Sequence, residues 1–252
     1  MKRRVIAFDL DNTLAESKSS ITVQMAALLN DLLQKFQVCV ISGGKFAQFE
    51  EQLLNRLDAT PRTLSALHVM PTCGTRYVRF DVATKVWRQV YAEDLTPDQR
   101  AAIIAALNKG ADALGYRATR LWGAQIEDRG SQVTFSALGQ EAPVATKQGW
   151  DRDGAKKRKL RDYVATVIPE FEVRVGGSTS IDVTKPGIDK AYGVQKLIEV
   201  LAITKQDVLF IGDRLGEGGN DYPVKAMGVD CVEVSGPLET ALVVRTILEV
   251  SE

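Results

Sequence analysis

The stretch Val5-Ile6-Ala7-Phe8-Asp9-Leu10-Asp11-Asn12-Thr13 indicates the fold more clearly than any other part of the sequence. Its first four residues are continuously apolar, which is typical of a strand buried on both faces of a parallel sheet. The run then ends in acidic and polar residues. Asp9 and Asp11 are two positions apart, so in an extended segment their side chains point to the same side. The stretch therefore predicts a central strand whose carboxyl end brings two carboxylates to a site.

Strands and helices alternate on both sides of this segment and again near the other end of the chain. Apolar residues at helical spacing predict helices over 22–36, 191–201 and 238–248, and short apolar runs predict strands over 38–41, 208–211 and 231–234. Such alternation is typical of an α/β fold, so we expect a doubly wound parallel sheet.

The middle of the chain has a different pattern. Between residues 81 and 185, strand-like runs at 86–91, 132–136, 172–175 and 180–183 accompany helical stretches at 97–114 and 156–167. We interpret 81–185 as an inserted α+β domain that folds over the strand ends of a core. That core would be built from residues 1–80 and 186–252.

Charge and cysteine content indicate which partners are unexpected and which cellular compartment fits the protein. Lys plus Arg and Asp plus Glu both number 32, so no net field attracts nucleic acid or an anionic membrane. The apolar run at the N-terminus stops at Asp9, which is too short for a signal or membrane segment. Three widely spaced cysteines fit a reducing cytoplasm. His68, the single histidine, is expected to be structural.

The two carboxylates of the first motif predict phosphoryl chemistry with a metal. Two charges 4 Å apart repel by about 4 kcal/mol at an effective dielectric of 20, so Asp9 and Asp11 need a cation, a shared proton or water. All-oxygen ligands suit Mg²⁺, which commonly binds one or two carboxylates and a substrate phosphate. One carboxylate can attack phosphorus while the other gives a proton to the leaving oxygen. A charged turn after a strand is the alternative that this motif alone leaves open.

A second acidic group follows the predicted strand at 208–211. Gly212-Asp213 ends that strand, and Asn220-Asp221 follow in a glycine-rich turn. Because the carboxyl ends of parallel strands open on one crevice, Asp213 is expected to meet Asp9 there. A surface loop is the alternative interpretation.

A serine and a lysine complete a predicted phosphate site. Ser42 follows the strand at 38–41, where its hydroxyl and the amides of Gly43 and Gly44 can hold phosphate oxygens. Lys190 begins a predicted helix and can neutralise charge on the transferred group. Taken singly, a capping serine and a solvated lysine are the ordinary alternatives.

In this order, the four segments resemble the haloacid dehalogenase superfamily of phosphatases and phosphomutases. Its motifs are Asp-x-Asp-x-Thr, a Ser or Thr, a Lys, and Gly-Asp with later acids, and the insertion stands where a type IIB cap would be. The resemblance implies the following roles: Asp9 as nucleophile and metal ligand, Asp11 as general acid/base and metal ligand through its carbonyl, Asp213 as metal ligand, Ser42, Gly43 and Lys190 as phosphate-binding residues, and Asn220 and Asp221 as support for the metal shell.

Within that superfamily the sequence is most similar to the α-phosphomannomutases, through 176–183, 189–192 and 212–221. The resemblance implies that Ser180 and Asp182 contact the sugar or its distal phosphate. Arg129 is the counterpart of one of the cap arginines that hold this phosphate. Trp122 and Gln140 stand where two others would be expected.

The two missing arginines bear on the choice between a mutase and a phosphatase. A mutase must hold a second phosphate while the sugar turns over, which bidentate arginines do well. A phosphatase needs only to admit water, so we expect hydrolysis of a phosphorylated sugar or similar small metabolite, with hexose phosphomutase as the alternative. An inactive binding module is a third hypothesis, against which the presence of all the core motifs argues. A homodimer through the insertion is a further expectation from the resemblance.

Overall fold

A computed structural model describes residues 4–251, in which the chain forms eleven strands and nine α-helices. The strands are β1 (Val5–Phe8), β2 (Gln37–Ile41), β3 (Leu67–Met70), β4 (Arg76–Asp81), β5 (Val86–Ala92), β6 (Ile126–Asp128), β7 (Gln132–Ser136), β8 (Glu172–Val175), β9 (Ser180–Thr184), β10 (Val208–Gly212) and β11 (Asp230–Glu233). The helices are α1 (Val23–Lys35), α2 (Phe46–Gln52), α3 (Pro61–Leu64), α4 (Pro97–Ala113), α5 (Val144–Trp150), α6 (Ala155–Val167), α7 (Lys190–Leu201), α8 (Tyr222–Ala226) and α9 (Pro237–Val250).

The chain divides into two compact units. The core unit runs up to Ala92 and resumes at Asp189, and the inserted unit is residues 93–188. In the core unit, seven strands form one sheet in the order β11-β10-β1-β2-β3-β4-β5. The pairs from β11 to β3 are parallel, with β1 between β10 and β2. The predicted α/β fold with a doubly wound parallel sheet is confirmed.

Strand β1 is continuously apolar because each face of the sheet has its own hydrophobic cluster. Ile6 and Phe8 pack into the cluster formed with α1 and α9, while Val5 and Ala7 pack into the cluster formed with α7 and α8. All four residues are buried. A strand covered on both faces has no solvent-facing position, so period-two alternation is absent from its sequence.

The predicted domain boundary at residue 81 is wrong, because β5 belongs to the core unit. It pairs antiparallel with β4, with Phe80 opposite Trp87 and their ring centroids 5.2 Å apart in edge-to-face contact. As the last strand of the sheet, β5 is largely exposed and lacks the apolar run of a central strand. Its sequence therefore looked like part of the insertion, which begins instead at residue 93.

The inserted unit is a four-stranded antiparallel sheet in the order β6-β7-β9-β8, with helices against one face. Val133, Phe135, Ile181 and Val183 alternate along β7 and β9 and pack with α4 and α6. The residues between them point to the opposite, polar face. The alternation therefore gives the sheet one face that packs on helices and one face of polar side chains.

His68 is buried within the sheet. Its ring nitrogens lie 2.6 Å from the hydroxyl oxygen of Tyr77 and 2.9 Å from Oε1 of Gln37. Burial lowers the pKa of His68 to about 3, so the ring is neutral and structural, as expected. Among the described helices, none has the length and apolar character needed to cross a membrane.

Candidate active site

Three strand ends meet where the predicted core residues lie. Phe8 of β1 pairs with Ile211 of β10 and Val40 of β2, and all three strands run in the same direction. Asp9 follows β1, Asp213 follows β10, and Ser42 follows β2. The parallel register therefore brings these residues to one edge of the sheet.

A tight turn after β1 separates Asp9 from Asp11. The amides of Leu14 and Ala15 both donate to the carbonyl of Leu10, at 3.0 and 3.1 Å, and the buried Leu10 side chain anchors the turn in the core. Asn12 has a φ of 58°, a conformation that asparagine tolerates better than most residues. The segment is thus folded back where an extended conformation was expected, so Asp9 and Asp11 have different surroundings.

Lys190 bridges two buried carboxylates. Its Nζ lies 2.5 Å from Oδ1 of Asp9 and 2.6 Å from Oδ1 of Asp221, and all three side chains are at most 5% exposed. A buried ammonium needs such partners, because burial without pairing would cost several kcal/mol. The predicted solvated alternative for Lys190 is therefore wrong.

Two glycines let helix α7 approach closely enough to place Lys190. A Cβ on Gly193 would lie 2.3 Å from Cδ1 of Ile41 and 2.7 Å from the carbonyl oxygen of Cys73. A Cβ on Gly74 would lie 2.3 Å from the Cα of Gly193. The first turn of α7 is therefore held against the end of β2 without space for larger side chains.

Asp221 reaches the same place through another close approach. Its Oδ2 accepts a 3.0 Å hydrogen bond from the amide of Arg214, and a Cβ on Gly212 would lie 2.5 Å from this oxygen. Asp221 is fully buried. Gly212, the residue before Asp213, therefore makes room for the Asp221 carboxylate, which is a structural reason for glycine at the end of β10.

Three carboxylates form a group that can hold a metal ion. One carboxylate oxygen from each of Asp9, Asp213 and Asp221 lies within 4.8 Å of the others. Asp9 and Asp213 thus come together as expected. Asp221 was predicted to support the metal shell from outside, but its carboxylate is part of the group itself. Asn220, its predicted companion, is exposed.

The electrostatics of this group favour binding of a further cation. Burial raises the pKa of Asp9 to about 7, with Lys190 opposing and Asp221 adding to the shift. Burial also raises the pKa of Asp213, again with the charge of Asp221 adding. Burial alone would lower the pKa of Lys190, but its two carboxylate partners outweigh that effect and raise it.

The Asp11 carboxylate is not one of the three acids of this group. Its Oδ1 accepts hydrogen bonds from the Lys18 amide at 2.7 Å and from Nε2 of Gln52 at 3.2 Å. Its Oδ2 accepts from Nε2 of Gln48 at 2.9 Å. Three N–H donors therefore hold this carboxylate in place. Metal binding through the Asp11 carbonyl stays a prediction.

The loop after β2 holds Ser42 and the two glycines that follow it. Ser42 is buried, and its Oγ accepts a hydrogen bond from the Gly44 amide at 3.3 Å. Its carbonyl accepts from the Cys73 amide at 3.0 Å. The Gly44 amide is thus engaged within the loop, and the role of Ser42 and Gly43 as phosphate ligands stays a prediction.

The predicted substrate residues of the inserted unit lie on the polar face of its sheet. The register places Glu127, Thr134, Asp182 and Arg174 in one row across the four strands. Oδ1 of Asp182 accepts hydrogen bonds from Gln132 at 2.8 Å and from Thr134 at 2.6 Å. The Asp182 side chain is therefore held in a fixed orientation.

Ser180 and Asp182 share one side of a glycine turn. A Cβ on Gly176 would lie 2.7 Å from Oδ2 of Asp182 and 2.9 Å from Oγ of Ser180. Both side chains are half-buried. The hydroxyl and the carboxylate that the sequence singled out therefore lie on one face of β9, and Gly176 leaves space for both.

Several arginines of this unit already have partners. Nε and Nη2 of Arg129 each lie 2.8 Å from Oε2 of Glu127, and Nε and Nη2 of Arg174 lie 2.8 and 2.6 Å from Oε1 of Glu172. The guanidinium of Arg120 lies 4.7 Å from the ring centroid of Trp122. These pairings were not predicted, although Glu127 and Glu172 each stand two residues before their arginine, the spacing of side chains on one strand face.

Comparisons with known proteins agree with this architecture. The family model of haloacid dehalogenase-like hydrolases matches residues 6–223. Phosphomannomutase 2 of Dictyostelium discoideum is 25% identical over 238 residues, covering 88% of this chain and 87% of that protein. Human phosphomannomutase 1 is 25% identical over 232 residues, covering 89% and 84%.

Solved structures share the fold at lower identity. An IMP-bound, N-terminally truncated IMP-nucleotidase from Plasmodium falciparum superposes with a TM-score of 0.72 at 17% identity, covering 98% of this chain and 68% of that one. A haloacid dehalogenase-like hydrolase from Bacteroides thetaiotaomicron gives 0.66 at 16% identity, covering 98% and 100%. Since the family model covers most of the core unit and all of the inserted one, the chain belongs to the haloacid dehalogenase-like hydrolases and is a phosphoryl-transfer enzyme of that family.

Proposed function

We propose that this protein is a magnesium-dependent phosphatase that hydrolyses a phosphorylated sugar or similar small metabolite through an aspartyl-phosphate on Asp9. The observation that carries the proposal is the buried group at the strand ends, in which Lys190 contacts both Asp9 and Asp221. A carboxylate held beside a buried ammonium is suited to attack an anionic phosphoryl group, because the ammonium offsets charge on the incoming oxygens.

The residues present fit Mg²⁺. When ionised, the carboxylates of Asp9, Asp213 and Asp221 carry three negative charges, and Lys190 offsets one. A divalent cation would balance the remainder, and carboxylate oxygens are ligands that Mg²⁺ prefers. When bound, the ion would neutralise this group and help orient the substrate phosphate.

The side chains divide the reaction between them. An oxygen of Asp9 forms a bond to phosphorus while the bond from phosphorus to the substrate oxygen breaks, and Asp11 gives that oxygen a proton. Ser42, Gly43 and Lys190 bind the equatorial oxygens. Water, deprotonated by Asp11, then attacks the aspartyl-phosphate and releases inorganic phosphate.

The pairing of the arginines supports hydrolysis over isomerisation. The side chains of Arg129 and Glu127 are only 12% and 17% exposed, so their separation would leave a poorly solvated charge. A second substrate phosphate would have to compete with Glu127 for Arg129 and with Glu172 for Arg174. A substrate with one phosphate and neutral hydroxyls meets no such competition, and Ser180 and Asp182 can bind hydroxyls.

The alternative is a hexose phosphomutase that interconverts sugar 1- and 6-phosphates. Its support comes from relatives: phosphomannomutases match over most of their length, although at only about a quarter identity. The segment that holds Ser180 and Asp182 belongs to this likeness. A homodimer through the inserted unit and a cytoplasmic location complete the proposal, and both rest on the sequence.

The test follows both products in one tube by phosphorus NMR. With Mg²⁺, mannose 1-phosphate or glucose 1-phosphate, and a catalytic amount of hexose bisphosphate, we expect inorganic phosphate to form faster than the 6-phosphate isomer. Dominant isomerisation would overturn the proposal in favour of the mutase. Glu127→Gln should release Arg129 and shift the product ratio toward isomer, whereas Glu170→Gln, at an exposed position of the same unit, should leave the ratio unchanged.

A further inference from the structure

We propose that Gln48 is a positioning residue for Asp11, and that position 44 is a glycine so that the Gln48 side chain can reach it. The inference rests on the proposed role of Asp11 as the acid that protonates the leaving group. It adds a residue outside the core motifs, on helix α2, to the machinery of the same site.

The contact is direct and lies between segments far apart in sequence. Nε2 of Gln48 donates to Oδ2 of Asp11 at 2.9 Å, across 37 positions of the chain. The other oxygen, Oδ1, is bound by the Lys18 amide and by Gln52. With donors on both oxygens, the carboxylate cannot rotate without breaking a hydrogen bond, so Gln48 contributes to its orientation.

Gly44 supplies the space for this contact. A Cβ at position 44 would lie 2.2 Å from Oε1 and 2.7 Å from Cδ of Gln48, so the amide group lies against the backbone there. The φ angle of Gly44 is not positive, and its backbone conformation does not by itself call for glycine. Close approach of Gln48 is therefore the structural reason for the missing side chain.

Gln48 contributes little else that would explain this arrangement. It is half-exposed on a seven-residue helix whose buried side chains are Phe49 and Gln52. Gln52 also donates to the carbonyl of Ser19 at 2.7 Å, which gives it a structural role of its own. A neutral amide at position 48 orients the carboxylate without adding charge beside the acidic group. Its function is thus more specific to Asp11 than that of Gln52.

The expected signature depends on the leaving group. An alkyl phosphate needs a proton on its departing oxygen, whereas p-nitrophenyl phosphate departs without one. Because small misplacements of a reacting group can cost up to about 100-fold, we expect Gln48→Leu to lower kcat about 10-fold or more for the alkyl phosphate. For p-nitrophenyl phosphate we expect kcat to fall less than about 3-fold, and KM should change little for either substrate. Gln24→Leu, at an exposed position of α1, is the matched control and should leave kcat and KM unchanged for both substrates.

A second pair of variants tests the role of Gly44. The added methyl group of Gly44→Ala should displace the Gln48 amide and give the same leaving-group dependence. The double variant Gly44→Ala with Gln48→Leu should be no slower than Gly44→Ala alone, because both changes remove the same interaction, the contact of Gln48 with Asp11. Additive losses would contradict the proposed reason for glycine at position 44.

A readout without turnover checks the contact itself. The side-chain amide signal of Gln48 in a nitrogen-15 correlation spectrum, identified by its loss in Gln48→Leu, should shift in Asp11→Ala, and that of Gln24 should not. If Asp11→Asn shows leaving-group dependence and Gln48→Leu does not, the inference is overturned and the proposed function stands. An equal fall in kcat on both substrates in Gln48→Leu would also overturn it, because it would indicate a general structural effect of the substitution. If Asp11→Asn lacks leaving-group dependence, the role of Asp11 and this inference fall together.

Discussion

At the scale of single residues, the surroundings of Asp9 combine a burial cost with a compensating partner. Burial raises the pKa of Asp9 to about 7, yet Lys190 lies within hydrogen-bond distance and opposes the shift. Its negative charge is therefore stabilised by that partner and, under the proposal, by Mg²⁺. A buried carboxylate with a raised pKa and a specific charged partner is typical of candidate functional sites.

Asp9→Asn should abolish turnover while leaving the fold intact. Loss of a nucleophile can cost about 10⁴-fold or more in kcat, and Lys190 keeps Asp221 as a partner, so no uncompensated charge is created. Steady-state rates with p-nitrophenyl phosphate and thermal melts would measure both effects. Asp31→Asn, exposed on α1, is the control. Rates near those of the unmodified protein would show that another residue is the nucleophile.

At the scale of elements, helix α7 depends on a glycine within its first turns. Helix interiors disfavour glycine by about 1 kcal/mol relative to alanine, so its presence at position 193 needs a reason. The close approach to Ile41 and to the backbone of Cys73 provides one. The same approach places Lys190 beside Asp9, which links the packing of this helix to the geometry of the site.

Gly193→Ala should therefore destabilise the protein and slow turnover. Overpacking of this kind costs about 1–3 kcal/mol, and any shift of α7 moves the ammonium of Lys190. Gly149→Ala is the matched control, because Gly149 lies in α5 with open space around its Cα and without a positive φ. That change should stabilise by a few tenths to about 1 kcal/mol. Denaturant unfolding measures the free energies, and a stabilised Gly193→Ala variant would refute the packing argument.

At the scale of the whole molecule, the proposed metal site implies that metal and protons compete for the acidic group. The pKa of Asp9 is raised to about 7, above the value of 3.8 for an exposed aspartate. Folding therefore favours the protonated form, and this contribution to stability is complete below the unfolded pKa and is lost as the pH rises through about 7. Under the proposed function, Mg²⁺ binds the ionised carboxylates and should restore the stability that is lost when Asp9 ionises.

The increase in Tm that Mg²⁺ gives over a chelator should therefore be larger at pH 8 than at pH 6. Scanning calorimetry at both pH values would measure it. Asp9→Asn removes the titrating carboxylate and should reduce the difference between the two pH values. A metal effect that is equal at pH 6 and pH 8 would contradict a binding site that contains Asp9.

Local sequence patterns were sufficient to predict the fold class and most of the strands and helices of this protein. The apolar run of β1 reflects burial on both faces of the strand. Asp9 could be identified because it is the first polar residue after this run. The alternating pattern of the inserted unit likewise reflects one covered face. Edge strand β5 was misplaced because an exposed strand at the margin of a sheet carries little apolar signal.

Only the tertiary structure decided which polar groups meet. The contact of Gln48 with Asp11, the entry of Asp221 into the acidic group and the bridge that Lys190 makes to Asp9 each join residues more than 30 positions apart or in different elements. Glycines at positions 44, 193 and 212 permit these approaches, but no local pattern in the sequence shows which side chain fills the space beside each of them. The physical reason is that periodicity records which face of an element is buried, whereas partners across the fold depend on how the strands pair and how closely the helices pack.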